Sequence, residues 1–166
     1  MRLDTPRQSV VDGLIRAYRY ATYSPDPSTQ CGASVYTADW EWIADGWNDF
    51  TKGVESSPEK LERPLKYQYF GHAEINAILA ACLAGKPPVL MVAPWAACTE
   101  CARAIAQSGI QMLIRHKQAM DRSPARWIES IEFADGLLTA AGVEIIQFDG
   151  RLQAEPIRHC GELWTP

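Results

Sequence analysis

The chain has 166 residues and a mass of 18.5 kDa, with 47% hydrophobic residues, which suffices for a sizeable core but is short for two domains, so one globular domain is expected. A formal charge of -4 and a pI near 5.4 exclude the broad basic footprint of a protein that grips nucleic-acid backbone, while leaving room for a local anion site. No run approaches the roughly 18 apolar residues that a bilayer span requires. The opening MRLDTPRQSVVDGLIRAYRY also lacks the apolar stretch of a signal peptide, so a cytoplasmic location without a membrane partner is expected.

Residues 6–23 set Val10, Val11, Leu14, Ile15, Tyr18 and Tyr23 at helical spacing, and SPDPS ends that helix. GASVYTAD and EWIADGW alternate apolar and polar residues, which predicts a hairpin turning near Asp39. The segment 48–68, NDFTKGVESSPEKLERPLKYQ, is polar and broken by proline and glycine, so it reads as a long loop. Loops of about 20 residues inside a compact domain usually serve function. A helix over 72–84 follows, then a buried strand PVLMVA, a helix near 98–108, a strand IQMLIRH, a helix near 124–141 and a strand VEIIQF. Strands alternating with helices imply right-handed crossovers and a largely parallel sheet. The expected architecture is therefore α/β in three layers, an N-terminal hairpin joined to three further strands. No internal repeat or low-complexity tract interrupts it. In the tail from Gly150 to Pro166 only Trp164 stands out, as a packing residue.

Five cysteines, at 31, 82, 98, 101 and 160, are odd in number and irregularly spaced, which suits metal binding or buried thiols better than a disulfide framework. His72 and Glu74 lie where the polar loop gives way to a helix. Cys98 and Cys101 open the next helix directly after a strand. In a parallel sheet the C-terminal end of a strand and the helix N-termini beside it face one crevice, where all four residues can meet. The helix dipole favours thiolates there. Cys-x-x-Cys with one histidine makes three zinc ligands and leaves the fourth tetrahedral position to water, the pattern of a catalytic rather than a structural site. Zinc lowers the pKa of such a water from about 16 toward roughly 7, and Glu74 is then the natural proton shuttle. Two alternatives stand beside this. A redox pair would leave His72 and Glu74 without a purpose, and a structural zinc would need Cys31, His116, His159 or Cys160 as a fourth ligand, none at a recognisable ligand spacing.

His-Ala-Glu opening a helix, followed about 24 residues later by Cys-x-x-Cys opening another, resembles the zinc-dependent cytidine deaminase superfamily, whose signature pairs H-x-E with P-C-x-x-C. SPDPSTQCGASV, DGWN at 45–48, GHAEINAI at 71–78, CTECARAIAQSGI at 98–110 and AAGVEI at 140–145 look like the deoxycytidylate deaminase branch, in order, over roughly residues 20–148. The resemblance implies a cytidine-deaminase-like fold with a five-stranded mixed sheet flanked by helices. It further implies Zn2+ held by His72, Cys98 and Cys101, Glu74 as catalytic acid and base, and deoxycytidine monophosphate as the small-molecule substrate, converted to deoxyuridylate and ammonia. By the same likeness Asn48 and Asn76 line the nucleotide pocket, and the chain is expected to form a homo-oligomer, the resemblance suggesting a hexamer. Two departures stand out. The family places proline directly before the first cysteine, where this chain has Ala97, with Pro94 further ahead. The family's Gly-Tyr-Asn-Gly is here Gly46-Trp47-Asn48-Asp49, in a region that relatives associate with hexamer assembly and control by deoxynucleoside triphosphates. Rival readings are deamination of a 5-modified deoxycytidylate, a nucleoside or another base, and a catalytically silent zinc-binding module.

Trp95 either stacks on a pyrimidine ring or packs beneath its loop. Asn76, one helical turn from His72, faces the pocket or solvent. Asn48 serves the pocket or a turn. Of Lys52, Lys60, Arg63 and Lys66, Arg63 is the best candidate for holding a 5′-phosphate, the alternative for all four being plain solvation. Cys31 and Cys82 read as small buried hydrophobes, His116 as a surface residue, and His159 with Cys160 as a weak second metal pair.

Overall fold

The computed structural model describes residues 3–166. In chain order the elements are α1 (Arg7–Ala21), β1 (Gly32–Tyr36), β2 (Trp42–Trp47), β3 (Asp49–Phe50), α2 (Pro58–Leu61), α3 (Lys66–Tyr69), β4 (Phe70–Gly71) and α4 (Ala73–Leu83). They continue as β5 (Leu90–Val92), α5 (Thr99–Gln107), β6 (Met112–His116), α6 (Lys117–Met120), α7 (Ala125–Ala140), β7 (Glu144–Phe148), β8 (Ile157–His159) and β9 (Glu162–Trp164). The main sheet runs β2-β1-β5-β6-β7. The hairpin β1/β2 is antiparallel and β1 also meets β5 antiparallel, whereas β5, β6 and β7 are parallel.

Strand β5 and the first three residues of β6 are apolar because both faces are covered. Along β6 the side chains alternate. Met112 and Ile114 join Leu14, Tyr18, Tyr36, Leu90, Val92 and Phe148 in a cluster under α1. Leu113 joins Val35, Met91, Ala77, Ile105 and Leu138 in the cluster under α4, α5 and α7. The result is the expected three layers. α4 packs through Ala73, Ala77 and Ala81, all at most 1% exposed, and it lies directly on β2 at Gly46. A Cβ on Gly46 would collide with the backbone of Ala77 and Ala73, so glycine is what lets this helix lie flush on the sheet. At the other end of the fold, Gly142 (φ 80) follows α7 and turns the chain into β7, with Gly142 N–H donating to Thr139 and Val143 N–H to Leu138.

Three expectations are corrected, and the tail, read only for Trp164 as a packing residue, gains structure. The segment 48–68 is not one long loop: Asp49–Phe50 pairs with Phe70–Gly71, and two short helices fill the interval. His116 is buried rather than on the surface, its Nδ1 2.7 Å from Tyr18 Oη and its Nε2 2.8 Å from the Gly150 carbonyl. A carbonyl only accepts, so Nε2 carries the proton. Cys82 is exposed on the outward face of α4, while Cys31 is part-buried and packs against the core. The tail forms the hairpin β8/β9, whose Trp164 stacks beside His116 at 6.1 Å.

Candidate active site

Two loop-to-helix junctions build the centre. His72 precedes the first residue of α4 with extended backbone, and Glu74 lies in that helix's first turn. Cys98 has the same position before α5, with Cys101 in its first turn. Because α4 and α5 both begin over the C-terminal edge of the sheet, the four side chains converge. His72 Nδ1 lies 3.3 Å from Cys101 Sγ and 3.4 Å from Cys98 Sγ, and the three donor atoms all fall within 4.8 Å of one another. Ligands on a tetrahedral zinc with Zn–S near 2.3 Å and Zn–N near 2.0 Å stand about 3.5–3.8 Å apart. Two thiols and an imidazole at these separations therefore fit zinc, and the soft donors favour it over magnesium or calcium. Among the described residues no second such cluster is found, so His159 and Cys160 do not form one.

The protons at this centre are tightly shared. The Cys98 thiol is held down at about 4, chiefly by the hydrogen bond from Cys101 and then by His72, while Cys101 is pushed up by the same partnership and by burial. His72 is raised to about 9 by its bond to Cys98. A dication replaces these protons when it binds. Glu74, 6% exposed, is raised by burial.

In front of these residues opens a pocket with Glu74, His72 and Cys98 in its lining. One wall comes from the segment 26–31 and Asn48. Asp26 accepts from the backbone N–H groups of Ser28 (2.8 Å) and Thr29 (3.2 Å), from Asn48 Nδ2 (3.2 Å) and from Lys66 Nζ (2.7 Å). Asn48 also donates to the Thr29 carbonyl at 2.9 Å and accepts from Cys31 N–H at 2.7 Å. Asn48 thus lines the pocket with its amide already engaged. The rest of the lining is largely aromatic, comprising Tyr67, Phe70, Trp95 and Trp127 with Ile131. Trp95 both faces the pocket and packs, its Nε1 donating to Ser123 Oγ at 2.8 Å. Arg63 reaches the mouth and donates to Ser28 Oγ at 3.0 Å.

Asn76 is not brought to the pocket. Its Nδ2 donates to the Trp47 carbonyl at 2.8 Å, tying α4 to the end of β2. Lys60 also lies elsewhere, bonded to the Glu55 carbonyl. Lys66 differs from an exposed loop cation: it is 6% exposed and paired with Asp26. Sequence reasoning missed Arg126 and Trp127 at the pocket mouth, since nothing in the spacing of α7 ties them to residues 72–101. It also missed Arg115, 2% exposed, which forks onto Asp135 at 2.7 and 3.0 Å and donates to the Ala96 carbonyl at 3.0 Å, bracing the loop ahead of Cys98. An arginine directly after three apolar residues of a core strand was the available signal.

Comparison with known proteins agrees with this geometry. The model of the cytidine and deoxycytidylate deaminase zinc-binding region matches residues 7–117. An uncharacterized deaminase of Aliivibrio fischeri is 36% identical over 124 residues, covering 75% of this chain and 82% of that protein. Mouse deoxycytidylate deaminase is 32% identical over 106 residues, covering 59% of this chain and 58% of its own, so this chain spans little more than half the length of that relative. The dCMP deaminase of cyanophage S-TIM5, solved with dCMP and dUMP, superposes with a TM-score of 0.70 at 18% identity over 87% of this chain and all of that one, which shows a shared fold.

Proposed function

The chain belongs to the cytidine and deoxycytidylate deaminase family, and on that premise we propose that it hydrolyses deoxycytidylate to deoxyuridylate and ammonia. The observation that carries this reading is the convergence of His72, Cys98 and Cys101 on one point with the buried Glu74 beside them, at the base of a pocket that could hold a nucleotide. His72, Cys98 and Cys101 would hold zinc, which supplies Lewis acidity and makes a water at its open position easy to deprotonate at neutral pH. Glu74 does the proton work. It accepts a proton from the attacking water and passes it to N3 of the cytosine as C4 becomes tetrahedral, then takes the second proton from the new C4 hydroxyl and delivers it to the departing amine as the C4 carbonyl forms. Burial raises the Glu74 carboxyl above the ordinary carboxylate range, which favours the proton-carrying form that this role needs.

Asn48 and Trp95 line the pocket, the first as part of a polar wall and the second as an aromatic surface for the base. Arg63 at the mouth suits the 5′-phosphate through its planar donor fork. A small-molecule substrate accords with the acidic composition, and no described helix is long and apolar enough to cross a membrane. We place the protein in the cytoplasm as a single-domain homo-oligomer. The outward Leu79 and Leu83 of α4, 56% and 90% exposed, support assembly, which sedimentation analysis would measure. The functional test is ammonia release from deoxycytidylate, run beside deoxycytidine, 5-methyldeoxycytidylate and a chelator-treated sample. Chelator-sensitive turnover of the mononucleotide but not the nucleoside is expected. Silence on every cytosine substrate from zinc-replete protein would overturn the reading.

A further inference from the structure

The hairpin β8/β9 lies beyond the stretch that matches the family, yet it touches both parts of the pocket lining. On one side it is laced to the segment that supplies Thr29 and Cys31. Gln30 N–H donates to the Arg158 carbonyl at 2.9 Å, Gly161 N–H to the Ser28 carbonyl at 2.7 Å, Cys160 N–H to Thr29 Oγ1 at 3.2 Å, and Arg158 N–H to Gln30 Oε1 at 2.9 Å. On the other side His159, 3% exposed, meets Trp95 edge to face with ring centroids 5.0 Å apart. Trp95 is in turn crossed by Trp127 at 6.2 Å and pinned by Ser123, so its indole is fixed from three directions.

His159 is an unusual choice for packing alone. Its Nε2 has no hydrogen-bond partner, one of two such buried side-chain atoms among the described residues, and it borders a small cavity shared with Cys31, Pro94, Trp95 and Trp164. A phenylalanine would fill the place without an orphaned nitrogen.

We propose that the C-terminal hairpin, through His159, is a positioning element of the substrate pocket: His159 sets the plane of Trp95 against the bound base, and so governs substrate affinity rather than the chemical step. This rests on the deaminase reading for its substrate, but the position of Trp95 does not depend on that reading.

The test uses full-length, zinc-loaded protein carrying 5-fluorotryptophan, with the Trp95 fluorine resonance assigned by Trp95→Phe. In His159→Ala the Trp95 resonance is expected to shift or broaden without substrate. KM for deoxycytidylate should rise about five- to tenfold, the span of a lost oriented aromatic contact, with kcat within about twofold and zinc content unchanged. His159→Leu, which keeps volume but no ring edge, gives the same reading if the alanine variant does not fold. In unlabelled protein, combining His159→Ala with Trp95→Ala should add nothing to the KM of Trp95→Ala alone. An unchanged Trp95 resonance, a loss confined to kcat, or additive effects would overturn the proposal. Absence of deoxycytidylate turnover in the unmutated protein would refute the substrate assignment and leave the resonance to decide the positioning claim.

Discussion

Replacing Lys66 by methionine isolates the buried ion pair in the pocket wall. The side chains of Lys66 and Asp26 are 7% and 4% exposed and meet at 2.7 Å. Removing one member strands the other charge away from water, which typically costs about 3–5 kcal/mol. Asp26 keeps three donors, Ser28 N–H, Thr29 N–H and Asn48 Nδ2, so the low end, about 3 kcal/mol, is expected. For a chain of this size that corresponds to a fall in Tm of roughly 6–12 °C. Pairing Lys66→Met with Asp26→Asn removes both charges and should restore much of the loss. Thermal and urea unfolding of the two single variants and the double variant measure the coupling. A Lys66→Met protein within about 1 kcal/mol of the parent would show that the pair is solvated in solution and would refute the reasoning.

Glu74→Gln should keep full zinc content and lower turnover by at least about 10²-fold, checked by elemental analysis beside ammonia release; an active variant removes the assigned proton shuttle. Gly46→Ala should destabilise the fold by about 2–3 kcal/mol, read from urea unfolding, because the new methyl meets the backbone of α4 rather than a movable side chain. Burial holds the His116 and His159 imidazoles below their ordinary range. The unfolded chain therefore takes up protons first as pH drops below about 6.5, so stability is full above that pH and declines as pH falls through the depressed values, by at most about 1.4 kcal/mol per pH unit for each histidine. His116→Gln should flatten that slope in Tm measured from pH 7.5 to 5.

The donor constellation was legible because its logic is local. Both pairs, His72 with Glu74 and Cys98 with Cys101, occupy the junction before a helix, and a parallel crossover brings such junctions together whatever the surrounding sequence. Asn76 shows the limit of that logic: one turn from His72 is the correct helix, but the Trp47 carbonyl claims its amide first. His116 was misjudged because the end of β6 looks like a strand terminus, whereas α1 and the tail cover it from above. Cys82 was misjudged because AEINAILAACL offers almost no polar contrast to mark which face turns outward. The helices inside 48–68 are each four residues long, too short for periodicity to register. They hold their shape by tertiary contacts such as the Lys66–Asp26 pair.

The glycine contact under α4 also bears on how this protein can change. A helix resting on the sheet through Gly46 and three alanines meets it backbone to backbone there, so tilting it means moving main chain rather than repacking a side chain. His72 and Glu74 are therefore a fixed datum, and mutation near them is punished by the backbone itself. Variation that retunes the pocket has to enter from the rest of the lining, through the 58–70 segment, Trp95 and the first turns of α7, where side chains rather than main chain define the surface. A mutant library aimed at new bases would be spent best there, with the face of α4 toward β2 left untouched.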